Sequence, residues 1–184
     1  MGLVGAEGVV GIALVLGVRV APVTAIVQGT GSALRIEANR FATELDRSAA
    51  LRHAVSRYIY VFISQAAAMA SCARFHVVEA RLARWLLMTR DRVGSDDFYL
   101  TQEFMADMLG VRRVGVTRAA GTLRARRLVS YSRGHINILD ARGLEAASCS
   151  CYASARDTYA RVMRGSLHRS DARTNNKTGV ASQS

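Results

Sequence analysis

The stretch Leu100–Leu123, LTQEFMADMLGVRRVGVTRAAGTL, decides the fold. Thr101, set before Gln102, Glu103 and Phe104, is a helix start: its hydroxyl can accept from the free amides of the first turn. Met105, Met108 and Leu109 then form the apolar stripe of a short helix, and Gly110 ends it. Ala106, Gly110 and Val116 follow the helix-turn-helix spacing, with a small residue where two helices cross, glycine at the tight turn and an aliphatic plug between them. On the second helix, about 100° per residue puts Val116, Ala119, Ala120 and Leu123 on the core face. Arg113, Val114, Thr117, Arg118 and Gly121 point the other way.

A basic, small-sided outer face suits the major groove of DNA, where arginine can bind guanine O6 and N7 together and a Thr or Val methyl can touch thymine. The expected base readers are Arg113 and Arg118, with Gln102, Val114 and Thr117 beside them and Thr101 and Arg112 at the two helix starts. Arg112 is expected to hold a phosphate. Downstream, Leu128–Tyr131 and His135–Leu139 alternate around Ser132, Arg133 and Gly134, which reads as a hairpin wing with Arg133 at its tip. His135 reads as a surface strand residue, since no acid or nucleophile partners it locally. Upstream, a helix over 77–89 places Val78, Leu82, Trp85 and Leu86 on one face, and Phe98–Leu100 reads as a short strand.

Charge points to the same partner. The chain of 184 residues carries 25 Lys+Arg against 14 Asp+Glu, net +11, and Lys177 is its only lysine. Residues 1–47 hold four arginines and four acids, so the whole excess lies beyond them, and the span from Gly110 to Arg133 has seven arginines and no acid. Such a bias selects a polyanion. No GxSxG, HExxH or P-loop pattern occurs and no pair of carboxylates stands out, so the chain is not expected to be an enzyme.

Residues 48–73 switch to steps of four and three through Leu51, Val55, Tyr58, Phe62, Gln65, Met69 and Cys72, a coiled-coil seam with one polar position. Packing against its own chain would give the same stripe. Pairing of two subunits is the favoured reading, because the preceding segment offers little surface to cover so long a helix. Residues 1–47 read as short strands at 9–10, 12–18, 23–28 and 33–36, separated by Gly11, Pro22 and the Gly29–Gly31 cluster. With seven glycines, this fragment cannot bury both faces of a sheet alone. Its apolar start is interrupted by Glu7 and Arg19 and has no basic lead, so neither a signal peptide nor a membrane anchor is expected.

The segment from Glu79 to Met88, that from Leu100 to Arg113, and the Arg133-Gly134 wing together resemble the Crp/Fnr family of bacterial transcription regulators. The resemblance implies an α+β chain: a partial antiparallel, cyclic-nucleotide-type β-roll over 1–47 lacking its first half, a dimerisation helix over 48–75, and a winged helix-turn-helix over 76–144. A C-terminal helix over 145–165 and a disordered basic tail over 166–184 would follow. It further implies a cytoplasmic homodimer on an inverted repeat of double-stranded DNA, with RNA polymerase as a further partner and no membrane. Cyclic-AMP-binding members hold the phosphate with a Gly-Glu-Leu turn and an Arg-Ser pair, where this chain reads Val10-Gly11-Ile12-Ala13 and Ala21-Pro22. No response to cyclic AMP and no cofactor are therefore expected. The family's Arg-Glu reading pair stands here as Arg113-Val114, so the operator should differ too.

Cys72, Cys149 and Cys151 are too few, and odd in number, for a disulfide framework, which favours a reducing compartment. The alternative function they suggest is a thiol-based redox or metal sensor. Cys149-x-Cys151 without a third nearby ligand is a poor zinc site, so incidental thiols and no metal are expected.

Overall fold

The computed structural model describes residues 2–163 apart from 7, 22 and 30; the expected basic tail over 166–184 lies outside the described residues. Its elements run as α1 (Ala38–Arg47), α2 (Ala49–Phe75), α3 (Val78–Val93), β1 (Asp97–Tyr99), α4 (Gln102–Leu109), α5 (Arg113–Ala125), β2 (Val129–Ser132), β3 (His135–Ile138), α6 (Ala141–Ala147) and α7 (Cys151–Met163). A 3-10 turn over Ile12–Leu16 precedes them. The class is α+β, as expected.

The main core is built round α3, on which every residue from Arg81 to Thr89 is buried. A helix apolar on one side only would leave a face to solvent, but here α4, α5, α6, α7 and β1 all pack against it. Leu82, Leu86 and Leu87 from α3 meet Met105 and Leu109 from α4, Val116 and Leu123 from α5, Ile136 from β3 and Leu144 from α6. The antiparallel sheet has the order β1-β3-β2, with Phe98 opposite Ile136 and Val129 opposite Ile138. Alternate residues of β3, Ile136 and Ile138, are buried, as one-sided packing demands.

Three expectations need correction. The strands read over 1–47 do not form: the described residues there hold the 3-10 turn and α1 instead, and no β-roll. Valine and isoleucine favour strands only where a partner edge satisfies the backbone. Ile12, Leu14 and Val15 pack instead on Phe41 and Leu45 of α1 and on Val55 and Ile59 of α2. The C-terminal helix is also two helices. Asp140 caps α6, accepting from the Gly143 amide at 2.9 Å, and the break at 148–150 sets off α7, which packs along α2 and α3. Thirdly, the seam is covered from within at Val55 and Tyr58, both buried. Tyr58 lies against Gly8 and Phe62 against Gly2, surface that the glycine-rich segment was not expected to supply. Leu51, Phe62, Gln65 and Met69 stay half-buried.

Two polar ties hold the C-terminal end of α3. The Arg92 guanidinium donates to the carbonyls of Met88 and Leu3, anchoring the N-terminal segment. The buried Tyr152 hydroxyl of α7 donates to Asp91 at 2.9 Å. Burial first, and that hydrogen bond second, push the Tyr152 phenol up to about 12.

Candidate nucleic-acid interface

Each end of the helix-turn-helix is set by local chemistry. Thr101 Oγ1 accepts from the Phe104 amide at 3.1 Å and so satisfies one free donor of α4. At the other end Gly110 adopts φ 63°, and the Val111 amide returns to the Ala106 carbonyl at 3.0 Å. That left-handed closure favours glycine. Arg81, on the core helix and 8% exposed, donates from its guanidinium to the Leu109 carbonyl. A cation at the C-terminus of α4 also complements the helix dipole.

The turn then delivers α5. Val116, Ala119, Ala120 and Leu123 are its buried residues, the face that helical phase assigns to the core. Arg113, Val114, Thr117 and Arg118 are exposed on the other side, with Arg112 exposed at the N-cap position. No side chain caps the start of α5 and its first turn contains no acid, so backbone amides and Arg112 present positive potential together. Thr117 Oγ1 donates to Gln102 Oε1 at 2.8 Å, linking the two helices of the motif. With the Thr117 hydroxyl so engaged, its methyl is the group left for contact at the surface, and Gln102 retains its amide donors.

The wing completes the face. Arg133 and Gly134 both have positive φ, 49° and 88°, the pattern of a two-residue type I′ turn. Only the second is glycine, so the tip stores some backbone strain at an exposed arginine. Tyr99 covers Gly134 closely enough to leave no room for a side chain there, and its ring meets His135 edge-on at 5.3 Å.

Among the described residues, Arg126 is the one arginine of the 110–133 span held in an ion pair, with Glu79 at 3.0 Å. Arg112, Arg113, Arg118, Arg124, Arg127 and Arg133 have no carboxylate partner there. Thr101, Gln102, Arg112, Arg113, Val114, Thr117 and Arg118 are brought together on the two helices of the motif, and Arg133 stands apart on the wing. The seam residues Leu51, Val55, Tyr58, Phe62, Gln65 and Met69 lie on α2, outside this face. Sequence reasoning missed Arg81, whose capping role nothing in the local pattern signals, and the Gln102–Thr117 link.

Two helices at a tight turn, an acid-free outer helix and a basic wing define a winged helix-turn-helix DNA-binding domain. Residues 80–147 match the family model of the Crp-like helix-turn-helix domain. That part of the chain is therefore a Crp-like domain, and the Crp/Fnr resemblance is borne out over it. No curated protein matches the chain. A protein of Eubacterium rectale ATCC 33656, assigned as a transcriptional regulator of the Crp/Fnr family, is 25% identical over 60% of this chain and 51% of its own, with a TM-score of 0.43. TTHB099 of Thermus thermophilus, a transcriptional regulator of the CRP family, is 24% identical over 52% of each chain, with a TM-score of 0.47. The chain thus spans about half the length of either. Among the described residues no helix is long and apolar enough to cross a membrane.

Proposed function

We propose that the chain is a sequence-specific, DNA-binding transcription regulator that acts as a homodimer on an inverted repeat and does not respond to cyclic AMP. The observation that carries this reading is the outward face of α5, where Arg113, Val114, Thr117 and Arg118 stand exposed and the two arginines have no carboxylate partner among the described residues. In this reading Arg113 and Arg118 enter the major groove, while Arg112, the free amides of α5 and Arg133 hold phosphates on either side. RNA polymerase is the partner such a regulator meets at a promoter.

Pairing is supported by a stripe on α2 that the described residues do not cover. Tyr60, Ile63, Ala67 and Ala70 are exposed and follow steps of three, four and three, the spacing of a coiled-coil seam with small residues for close approach. The occupant is a second copy of the same helix. Insensitivity to cyclic AMP is supported by the same stretch that departs from the nucleotide-binding pattern: Ile12–Leu16 is a 3-10 turn packed on α1 and α2.

Selection of binding sites from random double-stranded DNA by the full chain tests the reading. An inverted repeat with half-site centres about one helical turn apart is expected. A non-palindromic site, or no enrichment, would overturn it. Titration calorimetry with cyclic AMP should show no saturable heat.

A further inference from the structure

Away from the DNA-binding face, four potential ligands converge where α2 ends and α7 begins. Cys72 lies in the last turn of α2, and His76 is the C-cap residue whose amide donates to the Cys72 carbonyl at 3.1 Å. They are one helical turn apart and share a side. Cys149 sits in the break between α6 and α7, and Cys151 opens α7, so the break that divides the C-terminal segment also aims two thiols at α2. Cys72 Sγ is 3.5 Å from Cys149 Sγ, Cys151 Sγ is 3.7 Å from His76 Nδ1, and all four ligand atoms lie within 4.8 Å of one another.

We propose that Cys72, His76, Cys149 and Cys151 form a tetrahedral site for a borderline-soft divalent cation of the zinc class. Bonds of about 2.3 Å to sulfur and 2.0–2.1 Å to nitrogen at tetrahedral angles put neighbouring sulfurs about 3.8 Å apart and sulfur about 3.6 Å from nitrogen. The two observed separations, 3.5 and 3.7 Å, fall close to these values. All three cysteines are free, Cys72 and Cys149 are buried, and His76 and Cys151 are half-buried, which leaves a side for the ion to enter. The Cys-x-Cys pair lacked a third ligand in its own neighbourhood; the fold supplies two from 73 or more residues away in sequence.

An independent observation agrees on charge. Arg84 of α3 is 5% exposed, its Nε has no hydrogen-bond partner among the described residues, and its guanidinium donates to the Met88 sulfur at 3.3 Å. A buried cation so poorly satisfied needs an anion. Burial raises both the Cys72 and the Cys151 thiols, and the charge of Arg84 works against that rise. A divalent ion with three thiolates and a neutral imidazole carries net charge −1, which Arg84 offsets.

Without the ion, burial first and the contact with Cys149 second push the Cys72 thiol up to about 12, so binding has to displace the Cys72 proton. Binding then forms three metal–sulfur bonds and one metal–nitrogen bond. The three S–H protons leave to solvent, and His76 keeps its proton on Nε2 while Nδ1 donates its lone pair. The ion would tie the end of α2 to the start of α7, clamping α2 through α7 to the core helix α3.

Cobalt(II) titration of the reduced full chain is the test. Thiolate-to-cobalt charge-transfer bands and the intense visible bands of a tetrahedral site should saturate at one ion per chain, with three protons released, and zinc should abolish them. His76→Ala should lose most of the affinity, and Cys149→Ser and Cys151→Ser should each diminish the charge-transfer bands. Circular dichroism establishes that each variant is folded, and half-exposed His76 supplies the variant least prone to misfold. A reduced, folded wild type with no charge-transfer band, an octahedral spectrum, or bands undiminished in both cysteine variants would overturn the proposal. So would rapid formation of a Cys72–Cys149 disulfide that excess zinc does not prevent.

Discussion

The N-terminal segment and the winged domain are both rich in aliphatic residues, yet they use them in opposite ways. Val10, Val18, Val20, Val23, Val27 and Leu34 are exposed, whereas Leu82, Leu86, Leu123 and Ile136 are almost wholly buried. What separates the two is partnership. In the winged domain every apolar stripe faces another, and Thr101 and Asp140 start helices, and Gly110 ends one, where the packing needs those boundaries. In the first 47 residues regular structure appears where a partner exists: Ile12–Leu16 and α1 cover the start of α2. Between the two, the described residues 18–36 form neither helix nor strand.

The largest expected effect tests that contrast directly. Leu123 is 0% exposed and Val27 is 90% exposed. Leu123→Ala removes methyl groups from the heart of the core and leaves a cavity, so urea unfolding should show a loss of about 2–5 kcal/mol. Val27→Ser should change stability by less than about 0.5 kcal/mol. Comparable losses from the two would show that the N-terminal segment is packed as tightly as the domain.

The contrast also explains what could be read in advance. The helix-turn-helix was legible because its boundaries carry their own chemistry: Thr101 as a cap, Gly110 at positive φ, Arg133-Gly134 as a tight turn. The core face of α5 followed from helical phase alone. The N-terminal strands were not safe to infer, since β-branched runs announce a preference without naming the partner edge that would satisfy it. Phe41 and Leu45 stand four apart in α1 and are both buried, a short helical signal overshadowed by the strand-like residues before it. On α2 the apolar period was legible, but not which chain covers it: Val55 and Tyr58 are buried by their own chain. His76 belongs with Cys149 and Cys151 only through tertiary packing.

The next effect separates the two faces of α2. Ile63 is 58% exposed, so Ile63→Glu should leave the monomer's unfolding free energy within about 0.5 kcal/mol and shift sedimentation from dimer to monomer. Phe62 packs towards Gly2, so Phe62→Glu should instead disturb the monomer's own packing and lower its stability. A wild-type chain that is monomeric at micromolar concentration would remove the pairing altogether.

On the DNA-binding face the expected differences are of kind as well as size. Arg113→Ala or Arg118→Ala should cost about 1–3 kcal/mol on the preferred site and relax discrimination there. Arg112→Ala or Arg133→Ala should weaken binding to all sequences alike and flatten the salt slope by about one unit. Binding measured at several salt concentrations, on selected and scrambled DNA, distinguishes the two classes. Unchanged base preference in both Arg113→Ala and Arg118→Ala would move base reading off the outward face of α5.

The smallest effect lies at the tie between α7 and α3. Tyr152 is 2% exposed, its hydroxyl donates to Asp91 at 2.9 Å, and Arg156 lies over its ring at 5.4 Å. Tyr152→Phe keeps the buried ring and the ring face that Arg156 covers, and removes only the hydroxyl. Asp91 is exposed, so water replaces the lost donor and the penalty of a stranded buried carboxylate does not arise. Urea unfolding should therefore show a loss of only about 1 kcal/mol, with DNA affinity unchanged because α5 does not feel the change. A loss as large as that of Leu123→Ala would mean that the hydroxyl, more than the buried ring, fastens α7 to the core it shares with α3 and α5.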